Sequence, residues 1–123
     1  MENKYSIKTQ NDINYVLESL ESWKSLFSIE VSYYFEGWAI ILKEKNVYPR
    51  LIIIFGPYDK NRYSVKSFEI HYDDAKNESY KEIYWNDKIE DLSDLLKEVK
   101  EIIYGKDIIN FVSQHEDLGS ENQ

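Results

Sequence analysis

The chain reads as an α+β domain: an antiparallel sheet of about five strands in a meander, with an N-terminal and a C-terminal amphipathic helix packed on one face. Three observations predict this. Apolar residues recur at spacings of three and four near both ends of the chain. Through the middle they alternate, or run together in short segments. The connections between those segments are shorter than the crossover of a dozen or more residues that a parallel pair requires.

In "NDINYVLESLESWKSLF" the apolar residues Ile13, Val16, Leu17, Leu20, Trp23 and Phe27 gather on one helical face, with Thr9 or Asn11 placed to cap its start. From Ser28 the period becomes two. Ile29, Val31, Tyr33 and Phe35 alternate with Glu30, Ser32 and Tyr34, as in a strand with one wetter face, and Gly37 turns the chain. "WAIILK" and "LIIIF" are denser apolar runs, which predicts central strands covered on both faces. "GPYDKNR" is a loop by composition. In "YSVKSFEIHY" Phe68, Ile70 and Tyr72 share a face while Val65 falls out of that register, predicting a bulge near Lys66 or Ser67.

"DDAKNES" is the next turn and "YKEIYW" a short further strand. In "NDKIEDLSDLLKEVKEIIYG" Ile89, Leu92, Leu95, Leu96, Val99, Ile102 and Ile103 define a second helix. Asn86 or Asp87 stands at its cap, and Gly105 at the position of a left-handed terminator. "DIINFV" is expected as a short strand or helical turn. Residues 1–115 then form a single domain, with 116–123 a disordered tail too poor in apolar residues to fold.

At 123 residues the chain is long enough to bury one core. It has no cysteine, so disulfides and thiolate metal sites are excluded and a reducing cytoplasm is the expected compartment. The polar N-terminal dozen has no apolar centre, and the longest apolar run is far below the roughly 20 residues of a membrane span. The net charge of −8 is uneven: residues 1–48 carry −2, residues 49–72 carry +2 and residues 73–123 carry −8. Such a surface repels phosphate backbones and anionic lipid, so the expected partner is a protein with a basic surface, not nucleic acid or membrane.

Chemistry-bearing candidates are few. "EIHYDD", residues 69–74, sets Glu69 and His71 beside Asp73 and Asp74. Alternation puts Glu69 and His71 on one strand face, and the aspartates open a turn, so the stretch reads as a strand end. His115 falls in the expected tail. A magnesium site built from Asp73, Asp74 and Glu82 would make a carboxylate nuclease, and Arg50, Lys60 and Arg62 near strand ends would receive an anionic small molecule. There is no phosphate-cradling glycine loop, nucleophile elbow or HExxH.

More informative is the second helix. At about 100° per residue, Asp87, Glu90, Asp94, Glu98 and Glu101 fall within roughly 80° of arc opposite the apolar face, a stripe about 21 Å long. Eleven tyrosines add interface-forming side chains, of which Tyr34, Tyr80 and Tyr84 sit beside polar neighbours in strand-like segments. In its small size, acidity and tyrosine content the chain is similar to the broad class of compact inhibitors, toxin-immunity proteins and phage proteins that block a host defence nuclease. That resemblance lies in composition and transfers no site.

The expectation is therefore a non-enzymatic inhibitor needing no cofactor or metal. Glu90, Asp94, Glu98 and Glu101 steer it to a basic target, and Tyr80 and Tyr84 anchor it. A small-ligand or nucleotide-binding domain is the alternative, and a metal-dependent nuclease-like enzyme the third reading.

Overall fold

The structure is a computed structural model that describes residues 7–34, 37–45, 49–57 and 62–121, with side chains described for 9–33, 37–45, 49–57 and 62–113. Helix α1 (Ile7–Ser19) and a 3-10 turn (Glu21–Trp23) lead into strands β1 (Phe27–Tyr34), β2 (Gly37–Glu44), β3 (Arg50–Phe55), β4 (Tyr63–Tyr72) and β5 (Glu78–Ile89). Helices α2 (Leu92–Ile103) and α3 (Lys106–Glu121) complete the order. The strands form one antiparallel sheet in the order β1-β2-β3-β4-β5, the α+β meander that the short connections predict. No helix among the described residues is long and apolar enough to cross a membrane.

Alternation gives the sheet a core side. Ile40, Leu42, Ile52, Ile54 and Val65 are wholly buried with Ile13 and Val16 of α1, with Leu20 just after it, and with Leu95, Val99 and Ile102 of α2. Trp38 also lies in this cluster, ring to ring with Tyr63 at 6.5 Å. Gly56 makes room for it, since a Cβ there would land inside the Trp38 indole. From α1, Asp12 accepts a hydrogen bond from the Tyr63 hydroxyl at 3.3 Å. Burial first, and then the Asp12 carboxylate, push that phenol up to about 12.

Arg50, at the start of the central strand β3, is buried and has all five side-chain N–H groups engaged. Nε donates to Glu44 Oε1 at 2.8 Å, Nη1 to Asp107 Oδ1 at 2.8 Å and the Ile102 carbonyl at 2.7 Å, and Nη2 to Glu44 Oε2 at 3.0 Å and the Ile103 carbonyl at 3.1 Å. One side chain thereby joins the β2–β3 connection to the last carbonyls of α2 and the first turn of α3. These are carbonyls that a helix end leaves without intrahelical partners. Arg50 is thus committed to the protein's interior, which removes it from the anion-binding trio. Of the other two, Arg62 is exposed and Lys60 lies outside the described residues.

Several boundaries differ from the sequence pattern. The first helix stops at Ser19 and Phe27 opens β1, because a residue spaced for the helix face serves equally as the first core residue of a strand. Thr9 and Asn11 lie inside the helix instead of capping it. β4 alternates from Tyr63 to Ser67, with Tyr63, Val65 and Ser67 pointing to the core. The register shifts lie opposite Tyr63/Val65 and Ser67/Phe68, where β5 contributes the extra residues. β5 itself is twelve residues long, reaching Ile89, which pairs with Tyr63. Asp91 therefore caps α2, its side chain accepting from the Asp94 amide at 2.8 Å, and Asp87 and Glu90 are not helical. Gly105 is left-handed at φ 106°, as expected of a terminator. Beyond it, α3 runs through the "DIINFV" segment and on to Glu121, so residues 116–121 continue a helix where a tail is expected.

Three substitutions test this architecture in urea titrations. Leu95→Ala is expected to cost about 2–5 kcal/mol as a large-to-small core change. Arg50→Met is expected to cost about 3–5 kcal/mol by leaving Asp107 and Glu44 without their cation. Asp91→Ala should lose about 0.5–2 kcal/mol through the lost cap. Losses under 0.5 kcal/mol at all three positions would contradict the packing.

Candidate binding face of the sheet

The face of the sheet opposite Arg50 and Tyr63 has a different character. Across it, Ile41, Ile53, Lys66 and Trp85 stand in one register row, and Lys43, Leu51, Phe68 and Glu82 in the next. Ile70 pairs with Tyr80, and Tyr72 with Glu78. Ile41, Leu51, Ile53, Phe55 and Phe68 are only half-buried. Tyr72 and Tyr80 are 52% exposed and Trp85 is 55% exposed. Apolar runs that predict burial on both faces are thus covered on one and open on the other.

Neighbouring groups hold these aromatics in place. Tyr80 meets Phe68 edge-on at 6.5 Å, and its hydroxyl donates to Glu78 at 2.7 Å. The Lys66 ammonium lies 5.1 Å from the Trp85 ring centre. Lys43 pairs with Glu78 at 2.7 Å, and Lys66 with Glu82 at 3.3 Å. Hydrogen bonds from Lys43 and then Tyr80 hold the Glu78 carboxyl below its ordinary range. Charge on this part of the face is tied off pairwise, leaving aromatic and aliphatic surface as its main feature.

"EIHYDD" is the end of β4 and a turn. His71 Nε2 and Glu69 Oε2 are 3.1 Å apart on the strand. Asp73 closes the hairpin: its Oδ1 accepts from the Asn77 amide at 2.8 Å, and its carbonyl accepts from the Lys76 amide at 2.9 Å. Lys76 takes the left-handed conformation at φ 66°. Hydrogen bonds from the Asn77 amide first, then from its side chain and the Ala75 amide, lower the Asp73 carboxyl. Glu82 is on the open face with Lys66, away from that turn's work. No group of three or more metal-ligating side chains converges among the described residues. The side chain of His115 lies outside them.

The five acids expected to form one stripe are divided, Asp87 lying in β5. Glu90 is exposed ahead of α2, Asp94 is exposed in its first turn, and Glu101 is exposed 3.3 Å from Lys106 Nζ. Glu98 is only 6% exposed and turns inward. It accepts from the Tyr84 hydroxyl at 2.8 Å, from Asn86 Nδ2 and from Lys106 Nζ at 2.5 Å. Burial alone would raise this carboxyl, but the bonds from Asn86, Lys106 and Tyr84 outweigh it and hold it below the usual range. Burial, and then the bond to Glu98, raise the Tyr84 phenol. A shallow hollow of about 280 Å³ between β5, α2 and α3 is lined by Asn86, Glu98 and Lys106 together with Asp94, Lys97 and Glu101.

Tyr80 and Tyr84, an even number of residues apart, would share a face in a regular strand. The extra residue that β5 inserts opposite Ser67/Phe68 reverses the parity, so Tyr80 faces outward and Tyr84 faces Glu98. Tyr72 and Trp85 were not among the expected contact residues. Alternation with Phe68 and Ile70 carries the signal for Tyr72, whereas Trp85 reaches the open face only through the residue inserted in β5.

Glu98 links β5, α2 and α3, and its depressed titration fixes a pH dependence. Its contribution is fully present above the ordinary glutamate value of 4.5 and is lost as pH falls through the lower folded value. Glu98→Gln is expected to destabilise by about 1–3 kcal/mol near neutrality and to flatten the acid limb of stability against pH. Chemical denaturation from pH 3 to 7 checks both, and an unaltered acid limb would assign that limb to other groups.

Compared with known proteins, the chain matches no protein-family model, no curated protein and no solved structure.

Proposed function

We propose that the chain is a non-enzymatic protein-binding inhibitor that works by occlusion, and that the open sheet face is its contact surface. One observation carries this reading: Tyr72, Tyr80 and Trp85 are all more than half exposed on one face, above half-buried Phe68 and beside Ile53 and Leu51. Contiguous apolar surface of this kind marks interaction sites, and tyrosine and tryptophan are the side chains that most often anchor them. The partner is a protein offering an apolar patch with basic residues beside it.

Glu90 and Asp94 lie just beyond the end of β5, the strand that carries Tyr80 and Trp85. With Glu101 they supply long-range attraction to a basic surface, which acts on association rate more than on final affinity. Glu98 and Tyr84 support this surface from beneath by fixing α2 to β5. An immunity or phage counter-defence role against a nuclease would use such a surface to cover a nucleic-acid channel. Less favours the small-ligand alternative, because the charged groups lining the hollow beside α2 include a carboxylate and an ammonium already paired with each other.

The experiment is affinity capture from the native cell followed by binding kinetics against the captured partner at two ionic strengths. Tyr80→Ala combined with Trp85→Ala is expected to speed dissociation by at least about tenfold. Glu90→Lys, Asp94→Lys and Glu101→Lys together should slow association at low salt and remove most of its salt dependence. Full retention of binding by the double aromatic variant would refute the sheet face as the contact surface.

A further inference from the structure

The two edges of the sheet are built differently. β5 carries several devices that discourage further strand pairing: two register shifts, charges at Glu78, Lys81, Glu82, Asp87 and Lys88, and the α3 helix against it, where Lys81 lies 5.0 Å from the Phe111 ring centre. β1 carries almost none. It pairs with β2 through eight consecutive positions without a shift, contains no proline or glycine, and bears a single charge, Glu30. Among the described residues no strand pairs with its other side. Ile29 and Val31 are half-buried at the lip of the core, and Tyr33 beside them is 47% exposed.

We infer that β1 is a homodimerisation edge, on which a second copy of the chain adds its own β1 antiparallel to form a continuous ten-stranded sheet. Of the two sheet edges, charge leaves this one the more open to a second copy. The chain's −8 is matched by residues 73–123 alone, which form β5, α2 and α3, so two copies meeting at β1 approach through the edge remote from that charge. The strand is also self-complementary. A two-fold axis perpendicular to the sheet pairs residues of the same face, so it passes through a residue position. Centred on Glu30, it would oppose the two Glu30 carboxylates. Centred on Ser32, it would leave Phe27, Ser28 and Ile29 unpaired. Centred on Val31, it pairs Val31 with itself, Ile29 with Tyr33 and Glu30 with Ser32, and it uses every position from Ser28 to Tyr34.

This arrangement joins Ile29, Val31 and Tyr33 of the two copies into one apolar strip on the core side. It also places both open faces on the same side of the sheet, so that the dimer presents two copies of Tyr72, Tyr80 and Trp85 to one target. Two linked faces gain effective concentration at the second contact, provided the target repeats its site. The dimer does not rest on the inhibitor reading.

Sedimentation of the full chain over a wide concentration range, at moderate salt, tests the inference. The wild type is expected to show a concentration-dependent monomer–dimer equilibrium. Ser32→Glu sets a carboxylate opposite Glu30 twice across the axis and should raise the midpoint concentration by about 2- to 30-fold. Adding Glu30→Lys to Ser32→Glu turns both contacts into opposite-charge pairs and should restore or exceed wild-type association. Both positions are exposed, and circular dichroism of the double variant controls for folding. A wild type that stays monomeric at millimolar concentration overturns the inference. So does a dimer indifferent to Ser32→Glu, or one dissociated by Tyr80→Ala with Trp85→Ala instead, which would mean that the copies meet through their open faces.

Discussion

Arg50 is the constraint on which the arrangement of elements depends. A guanidinium taken out of water costs several kcal/mol unless each of its donors is met and its charge is balanced. Here two carboxylates and two helix-terminal carbonyls meet that requirement, and they come from β2, from the end of α2 and from the start of α3. The position of α2 along the sheet, the break at Gly105 and the direction in which α3 departs must all be compatible with one side chain. Apolar packing by Leu95, Val99 and Ile102 supplies attraction without direction, and the Arg50 contacts add a specific register to it.

Glu98 repeats the same device further along α2. It too is a buried charge whose partners come from different elements, Tyr84 and Asn86 on β5 and Lys106 on α3. The two ionic ties fall near the two sides of α2, one toward β3 and one toward β5, and between them they fix the helix against the sheet. This concentration of polar contacts on one side of the sheet leaves the other side free for different chemistry. The aromatic face can vary without disturbing the ties beneath it, since neither ionic tie passes through Tyr72, Tyr80 or Trp85.

Much of the fold was legible in the sequence because it rests on periodicity. The meander, the core face of α2 and the Gly105 terminator follow from local spacing, which tertiary contacts here reinforce. What was not legible depended on partners distant in the chain. Helical phase alone placed Glu98 with Asp94 and Glu101, and only the presence of Asn86, Tyr84 and Lys106 on other elements explains why it is buried. Arg50 looked like one of three scattered cations because Asp107 is 57 residues away. The site residues suffered from a smaller cause. One inserted residue in β5 separates Tyr80 from Tyr84, and a bulge of that kind leaves no composition signal in a segment already rich in strand formers.

The three tryptophans sample three environments. Trp38 is sealed against Gly56 in the core, Trp23 is partly covered and stands edge-on to Tyr104 at 5.3 Å, and Trp85 stands in solvent under Lys66. An indole's emission shifts to longer wavelength as water reaches it, and a dissolved quencher reaches only an exposed ring. The chain's own fluorescence therefore separates into a core signal and a surface signal without any introduced label: loss of tertiary packing is reported by Trp38, and arrival of a partner on the open face by Trp85.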